Sequence, residues 1–250
     1  MRAIRFVTAT RDDEATFRRT SHLFRSLGER EDLYVACQNR EGLSKLYNRF
    51  LDGDTAAFTF VGPPPGIRAA DDIIVFLHDD VEVVGGNYVA ELNHWVDEGF
   101  SILGLAGAMR AQVRSPAFWH LMGGRNDMSG VSVYTNNQID PNGKTVNVPD
   151  KPFPIMFGHL GEVVLLDGLF MAIALDRADA AGWRFDEAFD FHHYDIASCI
   201  RARDLGLRLR TVFVPVVHWD TGLNRTDPAW AASNDRFVAK YGERRLYVNP

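Results

Sequence analysis

The stretch IIVFLHDDVEV, residues 73–83, decides how this chain is read. Its first five residues are apolar without alternation, the pattern of a strand buried on both faces of a sheet. The run then ends abruptly in His78, Asp79 and Asp80. Three polar side chains leaving one apolar strand together are either a solvated turn with a helix cap or a strand end that holds something. Carboxylate oxygens suit a hard divalent cation, and an imidazole among them is tolerated by softer ions such as Mn2+.

Outward from this strand, the first hundred residues alternate β-rich runs with helical stretches. The runs are AIRFVT (3–8), DLYVACQ (32–38), AFTFV (57–61), DIIVFL (72–77) and SILGLAG (101–107), with helices expected near 14–27, 43–51 and 87–98. That rhythm predicts a mainly parallel sheet with covering helices, in which ligands gather at the carboxyl ends of strands. From about 110 to 160 the chain turns polar and bears Gly and Pro, and VSVYTN and KTVNV flank IDPNG as a hairpin. We read this stretch as an insertion over the sheet within a single domain spanning 1–250. EVVLLDG, FMAIAL, a helix at about 194–205 and a strand LRTVFVPVVHW complete the pattern, while GPPPG (62–66) reads as a rigid loop.

Composition narrows the function. A formal charge of −6, with no dense block of basic residues, argues against a nucleic-acid partner. Cys37 and Cys199 are the only cysteines and lack CxxC spacing, so neither a disulfide framework nor a cysteine metal site is indicated. MRAIRFVTAT reads as a first strand rather than a signal sequence, and VVLLDGLFMAIAL (163–175) carries Asp167 and is shorter than the ~20 residues that span a bilayer. The expectation is a cytoplasmic protein without a transmembrane segment, and a homo-oligomer is compatible with it.

Two further elements bear on the strand end. VPVVHWDTG places His218 after an apolar strand, where it is either structural or brought near Asp80 by a neighbouring strand of the same sheet. FDEAFDFHHYDIASCIRARDLG places Asp195 at the opening of a helix, where the dipole favours an ionised carboxylate. Asp195 is then either an N-terminal cap or a base able to take a proton from an attacking hydroxyl.

In this order the motifs resemble the GT-A glycosyltransferases of the family 2 type, and within them a bacterial glycosyltransferase-like group. The resemblance rests on GLSKLYNRFLD (42–52), IIVFLHDDVEV (73–83), LLDGLFMAIALD (165–176), and FDEAFDFHHYDIASCIRARDLG with VPVVHWDTG (185–222), and so covers nearly the whole chain. It implies a Rossmann-like αβα sandwich with a mainly parallel central sheet. It also implies a hexosyltransferase-like activity, using a nucleotide-sugar donor and a glycan, lipid-linked or small-molecule acceptor, with Mn2+ or Mg2+.

Carried over residue by residue, the resemblance makes His78-Asp79-Asp80 a DxD-like motif, with Asp80 as metal ligand and His78 in the place of the first aspartate. It assigns His218 to the metal or diphosphate site, and Thr8, Thr10, Gln38, Asn39, Asn48 and Asp79 to the nucleotide. It makes Asp195 the base of an inverting transfer, with Tyr194 standing where a glutamate is common, and sets Asp167-Gly168 near the acceptor. Trp119 and Tyr134, in the insertion, either pack or stack on a sugar ring. The alternative is a non-catalytic nucleotide- or carbohydrate-binding protein with a decayed transferase site. A nucleotidyltransferase is disfavoured because TATRDDEA lacks a glycine-rich, basic phosphate loop.

Overall fold

The computed structural model describes residues 1–250 except 29, 63–68, 113–126, 140–144, 148–151, 220–226, 243–244 and 249–250, with backbone alone for 112, 137–139, 145–147, 245 and 247. Most of GPPPG, Trp119 and most of the expected turn IDPNG lie outside the described residues. The expected flanks do not pair with each other: Thr145–Asn147 of KTVNV runs antiparallel to Asn137–Ile139, whereas Val133–Thr135 of VSVYTN pairs with Phe153–Ile155 and Val216–His218.

The central sheet has eight strands, in the spatial order Glu162–Val163, Leu209–Thr211, Ile102–Gly104, Phe170–Ala174, Ile73–Leu77, Ile4–Ala9, Asp32–Ala36 and Thr59–Phe60. Ile73–Leu77, Ile4–Ala9 and Asp32–Ala36 are mutually parallel, as is the pair Leu209–Thr211 and Ile102–Gly104. The other neighbours are antiparallel. The expectation of a mainly parallel, Rossmann-like sandwich is therefore overturned: the sheet is mixed. The physical reason is that an apolar run such as FMAIAL records burial on both faces, and burial carries no strand direction. Phe170–Ala174 is wholly buried and enters antiparallel between Ile73–Leu77 and Ile102–Gly104.

Helices reach the sheet from both sides. Phe6 and Phe76 point to opposite faces, because Phe76 is the register partner of Val7. Tyr88, at the start of helix Tyr88–Asp97, packs edge-on against Phe6, and Tyr47 of helix Leu43–Leu51 packs on Phe76 at 4.4 Å between ring centroids. The helix expected over 14–27 is two helices, Glu14–Thr20 and His22–Leu27. Ser21 adopts an extended backbone (ψ 128°) and its hydroxyl accepts Phe24 N–H, so it ends the first helix and caps the second. A further helix, Pro228–Tyr241, goes beyond the sequence expectation, although Asp227 followed by Pro228 is a start signal for one. Among the described residues no helix is long and apolar enough to cross a membrane.

The strand expected over LRTVFVPVVHW divides: Leu209–Thr211 stays in the central sheet, whereas Val216–His218 joins a second one. That second sheet runs Phe153–Ile155, Val133–Thr135, Val216–His218, Val81–Val83. Two of its strands come from the 110–160 stretch, which is thus woven into the structure that carries His218 rather than laid over the sheet.

Candidate functional site

The three parallel strands set the site. Their carboxyl ends release Thr10, then Gln38 and Asn39, then His78 to Asp80 along one sheet edge. Phe170–Ala174 runs the other way, so its amino end reaches this same edge: Phe170 is the register partner of Leu77, and His78 N–H donates to Leu169 O at 3.2 Å. The antiparallel strand is what delivers Asp167 and Gly168 to the site.

His218 arrives through the second sheet. Val81–Val83 continues the chain directly from Asp80 and pairs antiparallel with Val216–His218, placing His218 opposite Val81. The meeting of His218 and Asp80 is thus as expected, but through pairing in a different sheet rather than through two strand ends of one. The junction is braced by Trp219 N–H donating to Asp80 O at 2.9 Å. The Trp219 indole N–H donates to Glu82 Oε2 at 2.8 Å, with His22 stacked on the indole at 4.3 Å.

One ligand atom each from His78, Asp80 and His218 lie within 4.8 Å of one another. His218 Nε2 stands 3.4 Å from Asp80 Oδ1, an ion-pair distance, yet that buried oxygen accepts no hydrogen bond. Burial pushes the Asp80 carboxyl up, but His218 and His78 outweigh it and hold the carboxyl below its ordinary range. An ionised, under-bonded oxygen between two imidazoles fits a divalent cation, and two nitrogens with one oxygen favour a transition ion over Ca2+ or Mg2+. Asp79 turns elsewhere: it hydrogen-bonds Thr10, and burial, the larger influence, raises its carboxyl.

Asp195 is the second residue of helix Tyr194–Asp204 and is not its cap; that place belongs to His193, in a left-handed conformation (φ 67°) with no side-chain cap bond. Its Oδ1 accepts Ile196 N–H at 2.8 Å and its Oδ2 accepts Gly168 N–H at 3.0 Å. The sequence pointed to a readily ionised carboxylate, and this is corrected: burial first, then the charge of Asp167, push the carboxyl up to about 7. Two backbone N–H bonds and the helix dipole oppose that rise without cancelling it. Tyr194 links the two halves of the site. Its hydroxyl donates to Gly168 O at 2.9 Å and lies 3.3 Å from His78 Nε2.

The expected nucleotide residues divide. Thr10, Gln38 and Asn39 form one small knot, in which Asn39 N–H donates to Thr10 O and Gln38 N–H to Asp12 O, both at 2.8 Å. Gln38 is exposed with φ 52°, an unusual backbone for a residue with a side chain. Thr8 is fully buried behind them, with its hydroxyl unbonded. Asn48 is an anchor: its amide donates to Phe185 O and Glu187 Oε1 and accepts Phe185 N–H at 2.7 Å, fixing the turn that leads to Asp195. Tyr134 is partly buried at a paired position opposite Pro154 and Val217.

Sequence reasoning missed Phe191, Trp219 and Glu82. Phe191 is 55% exposed, with its ring 6.4 Å from that of His78. An aromatic residue two positions before His193 and four before Asp195 was the available signal.

No family model matches the chain, and no curated protein matches it. Among solved structures, the crystal structure of A197 from STIV is similar over 91% of this chain and 98% of its own, at 13% identity and a TM-score of 0.44. A likeness that distant carries no argument about what this chain does.

Proposed function

We propose that the protein is a nucleotide-sugar-dependent glycosyltransferase that moves a sugar from a nucleoside-diphosphate donor to an acceptor hydroxyl with inversion. The observation that supports this reading is the convergence at one sheet edge of the trio His78, Asp80 and His218 with Asp195, whose carboxyl is pushed up to about 7. His78, Asp80 and His218 would hold a divalent cation, which would supply positive charge for the departing diphosphate.

The chain's own residues do the rest. Asp195 receives the acceptor's proton as the new carbon–oxygen bond forms and the anomeric carbon–phosphate oxygen bond breaks. A carboxyl near 7 suits a general base, being substantially deprotonated at neutral pH yet basic enough to take a proton. The N–H groups of Ile196 and Gly168 hold both carboxylate oxygens in place. In this reading Thr10, Gln38 and Asn39, at the neighbouring parallel strand ends, form the part of the site that meets the base and ribose. Mn2+ fits the two-imidazole donor set better than Mg2+.

The deciding experiment is thermal stabilisation by a panel of nucleotide-sugars and nucleoside diphosphates, with Mn2+ and with EDTA, followed by a transfer assay on the best binder. A ligand bound only by the native state raises Tm, and the rise is expected with Mn2+ alone. Equal stabilisation in EDTA, or stabilisation without turnover for any acceptor class, would overturn the reading.

A further inference from the structure

Tyr194 occupies a position that the proposed chemistry does not use, yet its hydroxyl sits at the junction of the site. The phenol is buried, and a neutral phenol carries a single proton. It therefore has one proton to donate, and the 2.9 Å contact to Gly168 O takes it. Toward His78 Nε2, at 3.3 Å, the same oxygen offers only lone pairs. The contact is favourable only if Nε2 carries the ring proton, which leaves Nδ1 as the basic nitrogen.

We infer that Tyr194 is a positioning residue that selects the Nε2–H tautomer of His78, so that His78 meets the cation through Nδ1. The inference rests on the metal reading above for its purpose, though not for its geometry. Gly168 is the other half of the device. A methyl group on its Cα would lie 2.4 Å from the Tyr194 hydroxyl oxygen, so only glycine lets the phenol close on the carbonyl it bonds. The ring itself is held by packing, with Phe185 at 6.0 Å and Tyr47 at 6.2 Å between centroids, and removal of the hydroxyl leaves those contacts in place. His78 and Tyr194, the two departures from the pattern the sequence resembles, thus touch one another and act as one feature.

The test uses the full chain without metal, labelled with 15N-histidine, with the His78 ring signals assigned by their loss in His78→Gln. Long-range 15N–1H correlation is expected to show His78 as the Nε2–H tautomer in the wild type. Tyr194→Phe and Gly168→Ala are both expected to lose that preference, with the fold checked by circular dichroism. Titration with Mn2+ alone is expected to show affinity weakened about 10- to 100-fold in each, the usual effect of removing a group that orients a ligand. A wild-type His78 in the Nδ1–H form overturns the inference, as does a folded Tyr194→Phe with unchanged tautomer and unchanged Mn2+ affinity. A wild type that binds no Mn2+ yet shows the Nε2–H tautomer, lost in Tyr194→Phe, supports the positioning role and removes the metal reading instead.

Discussion

The two ends of the same three parallel strands treat buried charge in opposite ways. Near their amino ends Arg5, only 1% exposed, lies between Asp72 and Asp32, with nitrogen–oxygen distances of 2.7 Å to each. Burial works against that guanidinium, but the hydrogen bond to Asp72 and the charges of Asp72 and Asp32 more than offset it, and Arg5 stays charged. Asp72 also accepts Ala69 N–H at 2.9 Å. At the carboxyl ends, Asp80 faces two imidazoles with a buried oxygen that takes no hydrogen bond, and Asp195 is crowded by Asp167. The amino-end cluster is compensated by a permanent charge, whereas at the carboxyl end Asp80 is held ionised only by two imidazoles and Asp195 is raised by burial and by Asp167, perturbations of the kind that mark a chemical site. The same sheet thus holds a structural end and a chemical end.

Substitutions can break this contrast in a graded way. Asp195→Asn keeps the shape and the two N–H contacts in part, so folding and donor affinity are expected to persist. Transfer should fall by roughly 10²- to 10⁴-fold, the effect of losing a positioned base. Tm, nucleotide affinity and transfer rate measured on this one variant check it, and transfer within a few-fold of wild type would remove Asp195 from the mechanism.

Arg5→Leu tests the other end. It removes the cation that the buried Asp72 and the partly buried Asp32 share, and denaturant unfolding should show a loss of about 3–5 kcal/mol. A change below ~1 kcal/mol would mean that the amino-end cluster is not the structural one.

Asp80→Ala should invert that pattern. Asp80 is held ionised by His218 and His78, so its removal should lower Tm slightly at neutral pH, while nucleoside-diphosphate affinity in Mn2+ drops at least about tenfold, because the trio loses its only negative ligand. Titration calorimetry in Mn2+ and in EDTA reads this directly.

The pH dependence sharpens the comparison further. Asp195 acts as a base only when deprotonated, so transfer should rise with pH and level off above about 7. Asp167→Asn removes the charge that helps raise Asp195, and the rising limb should move to lower pH. Stability runs the other way. A carboxyl raised by folding contributes most below its unfolded value, and that contribution is lost as pH climbs through about 7. Asp195→Asn should therefore gain stability relative to wild type at pH 8, gain less at pH 5, and gain none below about 4. Asp80 has the opposite sign: its carboxyl is lowered by folding, so its contribution is present at neutral pH and lost on acidification.

The smallest effect is expected from trimming the hairpin between Asn137 and Asn147. Its strands pair with each other rather than with the strand that carries His218, so nucleotide affinity should stay within a few-fold of wild type. Deletion of Val133–Thr135 is not equivalent, since that strand is the direct neighbour of Val216–His218.

The sequence alone determined what one strand and its immediate continuation express. IIVFL reads as a buried strand, because a five-residue apolar run that ends at once in His, Asp and Asp is too short for a buried helix, and Asp195 reads as opening a helix that the apolar Ile196, Cys199 and Ile200 attach to the core. Tertiary structure alone decided the direction of Phe170–Ala174, the sheet to which His218 belongs, and the proton affinity of Asp195. Each of these depends on a partner far along the chain: Leu77 for the antiparallel register, Val81 for His218, and Asp167 with Gly168 for Asp195. Hydrophobic pattern reports burial and period, both local properties, whereas strand direction and carboxyl ionisation are set by which charges and hydrogen bonds the finished fold brings alongside.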